Sequence, residues 1–317
     1  MRVLLIDVNC KSGSTGKIAY SLFTELNKQG DTAAICYGRG AKIKEASIFK
    51  FGIDAETYLH AFLTRMTGWT GCYSFFSTRR LLKYLKNFKL DVVHIHELHA
   101  YFVNLKPIIN YLKKNHIKTV WTFHCEFMYT GKCGHSYECE KWKTECGQCP
   151  HKKDYPRSIL FDCTKKMFQQ KKRLFDGFDN LTIVTPSKWL ADRVRLSFLK
   201  DKNITVVHNG IDVNVFHPQN FDALKEKHQL KDEKIVLAVA PDLMDERKGG
   251  RWVLQLAENM KPLPVKFILI GVKDLKEQFP NNVIALGRTE NQTELAEYYS
   301  MADVFVICSK RENFPTT

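Results

Sequence analysis

Short apolar runs alternate with segments of helical periodicity along the first two-thirds of the chain. Apolar runs that predict buried strands lie at 3–8, 32–37, 91–96, 119–124 and 181–185. Helical spacing covers 18–28, 81–88, 107–114 and 165–175, and a further helix runs from a predicted N-cap at Ser187 to Leu199. Strands that alternate with helices predict a parallel, doubly wound sheet of the Rossmann type.

A change of domain is predicted near Asn209-Gly210, because Asn-Gly is a turn signal and Pro218 follows it. We therefore expect an N-terminal domain over 1–207 and a second Rossmann-like domain over 208–317. The second domain has four predicted strands, at 235–240, 266–270, 283–286 and 304–308, and a helix at 294–300. Because a doubly wound domain normally continues with further strand–helix units, the sequence predicts that this domain is incomplete.

Composition narrows the class of protein. Hydrophobic residues make up 44% of the 317 residues, which suits two packed cores. No apolar run approaches the length of a spanning helix, and the first residues do not resemble a signal peptide, so we expect a cytoplasmic protein. The formal net charge of +14 favours a phosphorylated substrate and peripheral contact with an anionic membrane over nucleic acid.

A glycine-containing turn, Gly13-Ser14-Thr15-Gly16-Lys17, follows the first predicted strand. Backbone amides at the start of a helix suit phosphate, but the segment is neither a Walker A loop nor G-x-G-x-x-G. On the pattern alone, a tight turn that needs glycine for its backbone angles is the favoured interpretation.

Two histidine segments end predicted strands, where open α/β sheets bind their ligands. For His124, a functional role and a structural one are equally supported by the pattern. His94 and His96 alternate onto one face of their strand. With no acidic or cysteine partner identifiable, the sequence favours a structural, hydrogen-bonded role for this pair over metal binding.

Four of the ten cysteines, Cys133, Cys139, Cys146 and Cys149, form a cluster in a polar insert at 125–163. Four thiolates predict a closed, structural zinc site rather than a catalytic one. Two disulfides or free thiols remain the alternatives, and His135 and His151 are spare candidate ligands.

Charged residues follow two strands of the second domain. Arg247 and Lys248 open a helix after its first strand, where they could neutralise a diphosphate. Glu312 follows the fourth strand and could accept hydrogen bonds from sugar hydroxyls. A solvated charged turn is the favoured alternative for the cationic pair taken alone.

In this order, the segments resemble glycosyltransferase family 4, retaining enzymes with the GT-B fold, and in particular bacterial exopolysaccharide and colanic-acid-type transferases. The resemblance covers essentially the whole chain. The segments that carry it are Gly13 to Gly16, His94 to His99, Trp121 to His124, Thr130 to Cys133, Cys146 to Pro150, Thr185 to Leu190, His208 to Asp212, Arg247 to Gly249, Ala302 to Val306 and Glu312 to Pro315.

The resemblance implies an α/β fold of two Rossmann-like domains facing a cleft, a UDP- or GDP-sugar as donor, and a lipid-linked or oligosaccharide acceptor. It implies that His124 contacts the donor sugar and that Glu312 holds it. The implied donor and diphosphate contacts are Gly13, Thr15, Gly16, Arg247, Lys248, Asn313 and Phe314. It implies no metal for the chemistry and no nucleic-acid partner.

Three departures from the family pattern matter. Cys125 stands where members often have aspartate after the histidine, and Asp242 stands where an additional arginine is usual. The second glutamate of the family's E-x7-E motif would fall at position 320, beyond the end of this sequence. Two alternative functions remain. Under these alternatives, the chain is either a truncated, catalytically inactive remnant that binds a nucleotide-sugar, or a basic protein that binds nucleic acid and is stabilised by zinc.

Overall fold

The computed structural model describes residues 1–317 as two compact units, Met1–Asn209 and Gly210–Thr317. Each unit has its own parallel sheet. No helix in either unit has the length and apolar character needed to cross a bilayer.

The first unit contains seven parallel strands and six α-helices. The strands are β1 (Arg2–Asp7), β2 (Thr32–Tyr37), β3 (Ile48–Lys50), β4 (Val92–Ile95), β5 (Lys118–Thr122), β6 (Leu181–Thr185) and β7 (Asn203–Val206). The helices are α1 (Gly13–Lys28), α2 (Asp54–Thr67), α3 (Phe75–Phe88), α4 (Leu105–Lys114), α5 (Thr164–Phe175) and α6 (Lys188–Arg195). The insert between β5 and α5 contains only a one-turn 3-10 helix, Lys141–Lys143.

The strand order in this sheet is β3-β2-β1-β4-β5-β6-β7. From β1 the chain first builds outward through β2 and β3 and then returns to add β4 on the other side of β1. β1 has apolar residues facing both sides of the sheet, as expected of a central strand covered by helices on both faces. The order of the strands reverses between β1 and β4, and the carboxyl ends of these two strands are where such sheets bind ligands.

The second unit is a four-stranded parallel sheet with three helices. Its strands are β8 (Lys234–Val239), β9 (Val265–Ile270), β10 (Val283–Leu286) and β11 (Val304–Phe305), and its helices are α7 (Asp222–Lys227), α8 (Gly250–Asn259) and α9 (Gln292–Met301). The order β10-β9-β8-β11 places the reversal between β8 and β11. The fold expected from sequence, two Rossmann-like units, is confirmed.

Most strands and several helix ends match the sequence prediction. Ser187 caps α6 as expected, because its hydroxyl accepts from the backbone amide of Leu190 at 3.2 Å. The expectation of a turn at 13–16 was wrong, since α1 begins at Gly13. Glycine at position 16 nonetheless relieves a close approach, because a Cβ there would lie 3.0 Å from the carbonyl oxygen of Asn9.

Candidate active site

The candidate donor residues of the second unit meet where its strand order reverses. Lys248 follows β8 and Glu312 follows β11, and the Lys248 ammonium donates to the Glu312 carboxylate at 2.5 Å. Both side chains are only partly exposed, at 19% and 25%. The structure therefore brings together a cation and a carboxylate that lie 64 residues apart in the chain.

The backbone around Lys248 is held by a close approach that only glycine permits. Gly249 has a φ of +76°, and a Cβ there would lie 2.1 Å from the carbonyl oxygen of Cys308. The amide of Lys310 donates to the carbonyl of Arg247 at 2.9 Å. These contacts bind the 247–249 turn to the segment after β11, which carries Glu312, Asn313 and Phe314.

A third cation at this edge was missed by sequence reasoning. Lys273 follows β9 and pairs with Asp242, the residue that stands where the family usually has an arginine. The two residues are 31 positions apart, so no local pattern signals the pair. The carboxyl edge of the second sheet thus carries Arg247, Lys248 and Lys273.

In the first unit, the start of α1 is tied to the end of β1. The Thr15 hydroxyl donates to Asp7 at 3.0 Å, and the amide of Glu97 donates to the other oxygen of Asp7 at 3.1 Å. Gly13 is exposed and Gly16 is buried. Asp7 therefore connects the glycine segment to the end of β4 across the point where the strand order reverses.

His124 lies in a row of three imidazoles at the same edge. Its Nε2 is 3.1 Å from Nδ1 of His96, and the rings of His96 and His94 stack with centroids 4.3 Å apart. Burial lowers the pKa of His124, and it lowers that of His94 to about 4. At neutral pH these rings are therefore uncharged. In its neutral form, the imidazole of His124 has one nitrogen that donates a hydrogen bond and one that accepts.

Three potential metal ligands that the sequence did not single out lie near the ends of β4 and β5, and neither His94 nor His96 is among them. His94 instead hydrogen-bonds to Thr122 at 2.8 Å, in agreement with the structural role expected from the sequence. Glu97, His99 and Cys125 place one potential ligand atom each within 4.8 Å of one another. The Cys125 thiol donates to Glu97 at 3.6 Å, and His99 lies 3.2 Å from the same carboxylate. Burial by itself raises the pKa of Glu97, but the neighbouring His99 outweighs this effect and holds the pKa below its usual value.

Asp7 provides a test of these electrostatics. Burial raises its pKa to about 7, and the nearby Glu97 adds to the effect, whereas an unfolded aspartate titrates near 4. Between these pH values the folded chain keeps a proton that the unfolded chain has lost, so Asp7 lowers stability as pH rises through that window. We expect the free energy of unfolding of Asp7→Asn to rise relative to that of the native chain as the pH increases from 4 to 7, by up to about 4 kcal/mol in total. Above pH 7 this difference should stay constant.

Urea unfolding at a series of pH values measures this difference. Asp201→Asn is the matched control, because Asp201 faces solvent and its replacement should leave the profile parallel to that of the native chain. A difference for Asp7→Asn that stays constant from pH 4 to 8 would show that Asp7 does not keep a proton in the folded chain.

The four clustered cysteines lie on one cavity in the insert. Cys133, Cys139, Cys146 and Cys149 all line it, and all four are free thiols in the structure. The structure therefore brings together the residues that the sequence singled out as zinc ligands, in a part of the first unit separate from the elements that carry Asp7.

Comparisons with known proteins match both units of the chain. The family model "Glycosyltransferase Family 4" matches residues 15–215, and the model "Glycosyl transferases group 1" matches residues 220–317. The colanic acid biosynthesis glycosyl transferase WcaC of Escherichia coli K12 is 26% identical to this chain. The alignment covers 99% of this chain and 79% of WcaC.

Two further similarities are more distant. Alpha-monoglucosyldiacylglycerol synthase of Acholeplasma laidlawii is 24% identical, over 74% of this chain and 56% of that enzyme. The structure of Anabaena Alr3699/HepE in complex with UDP-glucose matches with a TM-score of 0.59 at 12% identity. The match covers 99% of this chain and 75% of the HepE chain. The family 4 model covers more than half of the residues, and the chain therefore belongs to glycosyltransferase family 4.

Proposed function

We propose that this glycosyltransferase takes its sugar from a nucleoside diphosphate sugar held at the carboxyl edge of the second sheet. The contact between Lys248 and Glu312 carries the proposal. A diphosphate is recognised by cations, and sugar hydroxyls donate well to a carboxylate, so the two halves of such a donor match these two groups. Arg247 adds a second cation, and the amides of Asn313 and Phe314 are proposed to hold the sugar beside Glu312.

The cations also serve the reaction. When the bond between the sugar and the diphosphate breaks, negative charge develops on the leaving oxygen, and a preorganised Lys248 stabilises that charge more than it stabilises the intact donor. We propose that the configuration at the anomeric carbon is retained and that the step uses no metal ion. NMR of the anomeric proton of the first-formed product tests retention, and an inverted product would contradict it.

For the first unit, we propose that His124 contacts the transferred sugar and that the amides at Gly13, Thr15 and Gly16 approach the donor phosphates. A neutral His124 suits hydrogen bonding to a sugar hydroxyl, because a neutral imidazole has both a donor and an acceptor nitrogen. The direct test is His124→Ala, which should lower kcat, whereas His228→Ala, in the second unit against Tyr298, should not.

Binding of the donor is tested by thermal shift with UDP, GDP, ADP and the matching glucose conjugates. A nucleotide present at about 100 times its Kd should stabilise the chain by about 2.7 kcal/mol. The stabilisation should be lost in Lys248→Met and kept in Lys261→Met, whose side chain pairs only with Glu258 on the surface. If none of the nucleotides stabilises the native chain, the proposed donor site is wrong.

We further propose that the acceptor is a lipid-linked saccharide used in surface polysaccharide synthesis. The name of the relative WcaC, a colanic acid biosynthesis glycosyl transferase, supports the polysaccharide part of this proposal. An exposed apolar surface on the first unit supports contact with the membrane that would carry such an acceptor. Its residues are Tyr58, Leu59 and Phe62 on α2, Phe75 and Phe76 at the start of α3, and Ile159, Leu160 and Phe161 in the insert.

These residues, which we call the aromatic surface, lie together. The carboxylate of Glu56 on α2 accepts from the amide of Phe76 at 2.8 Å, and the amide of Ile159 donates to the carbonyl of Arg65 at 2.8 Å. Exposed cations adjoin the surface in sequence: Arg65, Arg79, Lys153 and Arg157. Aromatic side chains beside cations match the interface of an anionic membrane.

Co-sedimentation with vesicles tests this contact. We expect binding to vesicles that contain phosphatidylglycerol, and weaker binding to phosphatidylcholine alone, since each cation near an anionic surface contributes about 1 kcal/mol. Phe62→Ser with Phe76→Ser should reduce binding about tenfold or more. Leu196→Ser, at a similarly exposed residue elsewhere, is the control. Equal binding of the double variant and the control would contradict the proposal.

A further inference from the structure

Four cysteines line one small cavity in the insert. The cavity lined by Cys133, Cys139, Cys146 and Cys149 has a volume of about 20 Å³, room for one water-sized body. The rest of its wall comes from other residues of the insert, among them Lys132 and the buried Trp142, and from the start of α5. Four thiols on a cavity of that size match the ligand number and the space of a single tetrahedral ion.

Backbone amides are already directed at the sulfurs. The amide of Gly131 donates to Sγ of Cys146 at 3.2 Å, and the amide of His151 donates to Cys149. Cys133 and Cys149 are themselves within hydrogen-bonding contact. Hydrogen bonds from the backbone to sulfur favour thiolate over thiol, and they are the outer contacts that orient cysteine ligands around a metal.

Two buried lysines lie beside the cysteines. Lys132 is 2% exposed and donates to backbone carbonyls of Lys152, Asp154 and Pro156. Lys171 is 4% exposed and donates to backbone carbonyls of Phe127, Thr130 and Gly131. Carbonyl oxygens therefore satisfy the hydrogen bonds of both buried amines.

Both lysines lie within electrostatic reach of the clustered cysteines. Lys132 interacts with Cys133 and Cys149, and also with Asp154 and Asp162. Lys171 interacts with Cys146, Cys125 and Cys133. Amines at this distance favour a cluster of thiolate ligands, which carries net negative charge around one Zn²⁺.

We propose that Cys133, Cys139, Cys146 and Cys149, which line this one cavity, bind a single structural Zn²⁺ ion. The ion closes the loop between β5 and α5, which otherwise has a single helical turn. It takes no part in the proposed transfer reaction, because four thiolates leave no open position for a substrate.

Metal analysis of the purified full-length chain tests the proposal. We expect about one zinc per chain, and almost none in the double variant Cys146→Ser with Cys149→Ser. Cys72→Ser with Cys308→Ser is the matched control, because it removes two cysteines outside the cavity and should keep the zinc. Cys125→Ser tests the competing group of Glu97, His99 and Cys125, and loss of zinc in that variant alone would overturn the assignment.

Cobalt substitution keeps the proposal testable if the double variant does not fold. The native chain loaded with Co²⁺ should show strong thiolate-to-cobalt charge transfer and the visible bands of a tetrahedral four-sulfur site. A chain without bound zinc, with the four cysteines joined in disulfides, would overturn the proposal. A cobalt spectrum without thiolate charge transfer would also overturn it.

Discussion

Replacing Lys248 with methionine is expected to lower kcat about 100- to 1,000-fold, the loss typical of removing one preorganised group that stabilises developing charge. Methionine keeps most of the length and apolar volume of the side chain and removes only the ammonium. Because that ammonium also meets the diphosphate of the intact donor, affinity for the nucleotide should fall as well, by roughly tenfold or more. The larger effect should be on kcat, since charge on the leaving oxygen grows as the bond breaks.

Steady-state rates with a fixed acceptor, together with nucleotide affinity by calorimetry, measure both effects. Lys248→Arg keeps the charge, and its rate should lie between those of the native chain and Lys248→Met, because a planar guanidinium cannot reproduce the position of an ammonium. Lys261→Met is the control for loss of a surface charge. A rate for Lys248→Met within about threefold of the native rate would remove Lys248 from the active site.

Glu312→Gln separates a role in catalysis from a role in holding Lys248. If Glu312 only positions the ammonium, the double variant Lys248→Met with Glu312→Gln should be no slower than Lys248→Met alone. If Glu312 binds the sugar itself, as proposed, the double variant should be slower than Lys248→Met alone, and KM for the donor should rise in Glu312→Gln. The 2.5 Å contact makes coupling between the two residues expected in either case, so its size decides between the roles.

The parts of the fold that sequence predicted well are those in which a local pattern and the three-dimensional environment agree. β1 is apolar on both faces because helices cover both faces, and its residues form an unbroken apolar run. α4 is predicted by its spacing because one of its faces is buried, with Leu105, Ile108, Ile109 and Leu112 in the core. For these elements, the burial that stabilises the structure also determines the pattern of apolar residues along the sequence.

α2 was missed because its pattern is inverted. It buries Thr57, His60 and Thr64, whereas Tyr58, Leu59 and Phe62 face solvent. His60 is accommodated by a hydrogen bond to Ser74 at 2.7 Å and by the amide of Gly71 at 3.2 Å. A rule that places apolar residues inside cannot find such a helix, and the same inversion is what makes its outer face a candidate for membrane contact.

The residues of the candidate site also fall into two groups, those that a local sequence pattern predicts and those that it does not. Lys248, Glu312 and His124 were predicted because each follows a strand that the apolar pattern reveals. Two other pairs at these edges were not predicted, since Lys273 with Asp242 and Glu97 with Cys125 are brought together by neighbouring strands and not by spacing along the chain. Sequence therefore indicated the edge of each sheet at which the candidate residues lie, and the strand order was needed to show which side chains meet there.

A buried ion pair joins the insert to α6, and removing it should have the largest effect on stability. Glu126 is 1% exposed and accepts from Nε of Arg193 at 2.6 Å, from the Tyr129 hydroxyl at 3.0 Å and from both the amide and the hydroxyl of Ser136 at 2.6 and 3.0 Å. Arg193 in turn lies over the ring of Trp142, 4.5 Å from its centroid. The carboxylate is thus the one acceptor that several buried donors share.

Glu126→Ala is expected to lower the free energy of unfolding of the first unit by about 3–5 kcal/mol, because it removes the only carboxylate paired with the partly buried Arg193 and leaves the Tyr129 hydroxyl and the Ser136 amide without their acceptor. Glu126→Gln, which keeps one oxygen acceptor, should cost less. Asp192→Ala on the same helix is the control: it breaks the exposed pairs with Lys188 and Arg195, and such pairs contribute at most about 1 kcal/mol.

Urea unfolding, followed by the fluorescence of the buried Trp142 and Trp121, measures all three variants. The comparison depends on burial alone, since Glu126 and Asp192 each pair with an arginine of α6 and differ chiefly in how far water reaches them. Equal losses for Glu126→Ala and Asp192→Ala would mean that the insert is not held to α6 by this carboxylate. A large loss confined to Glu126→Ala would show that the insert, including its cysteine cavity, is a fixed part of the first unit.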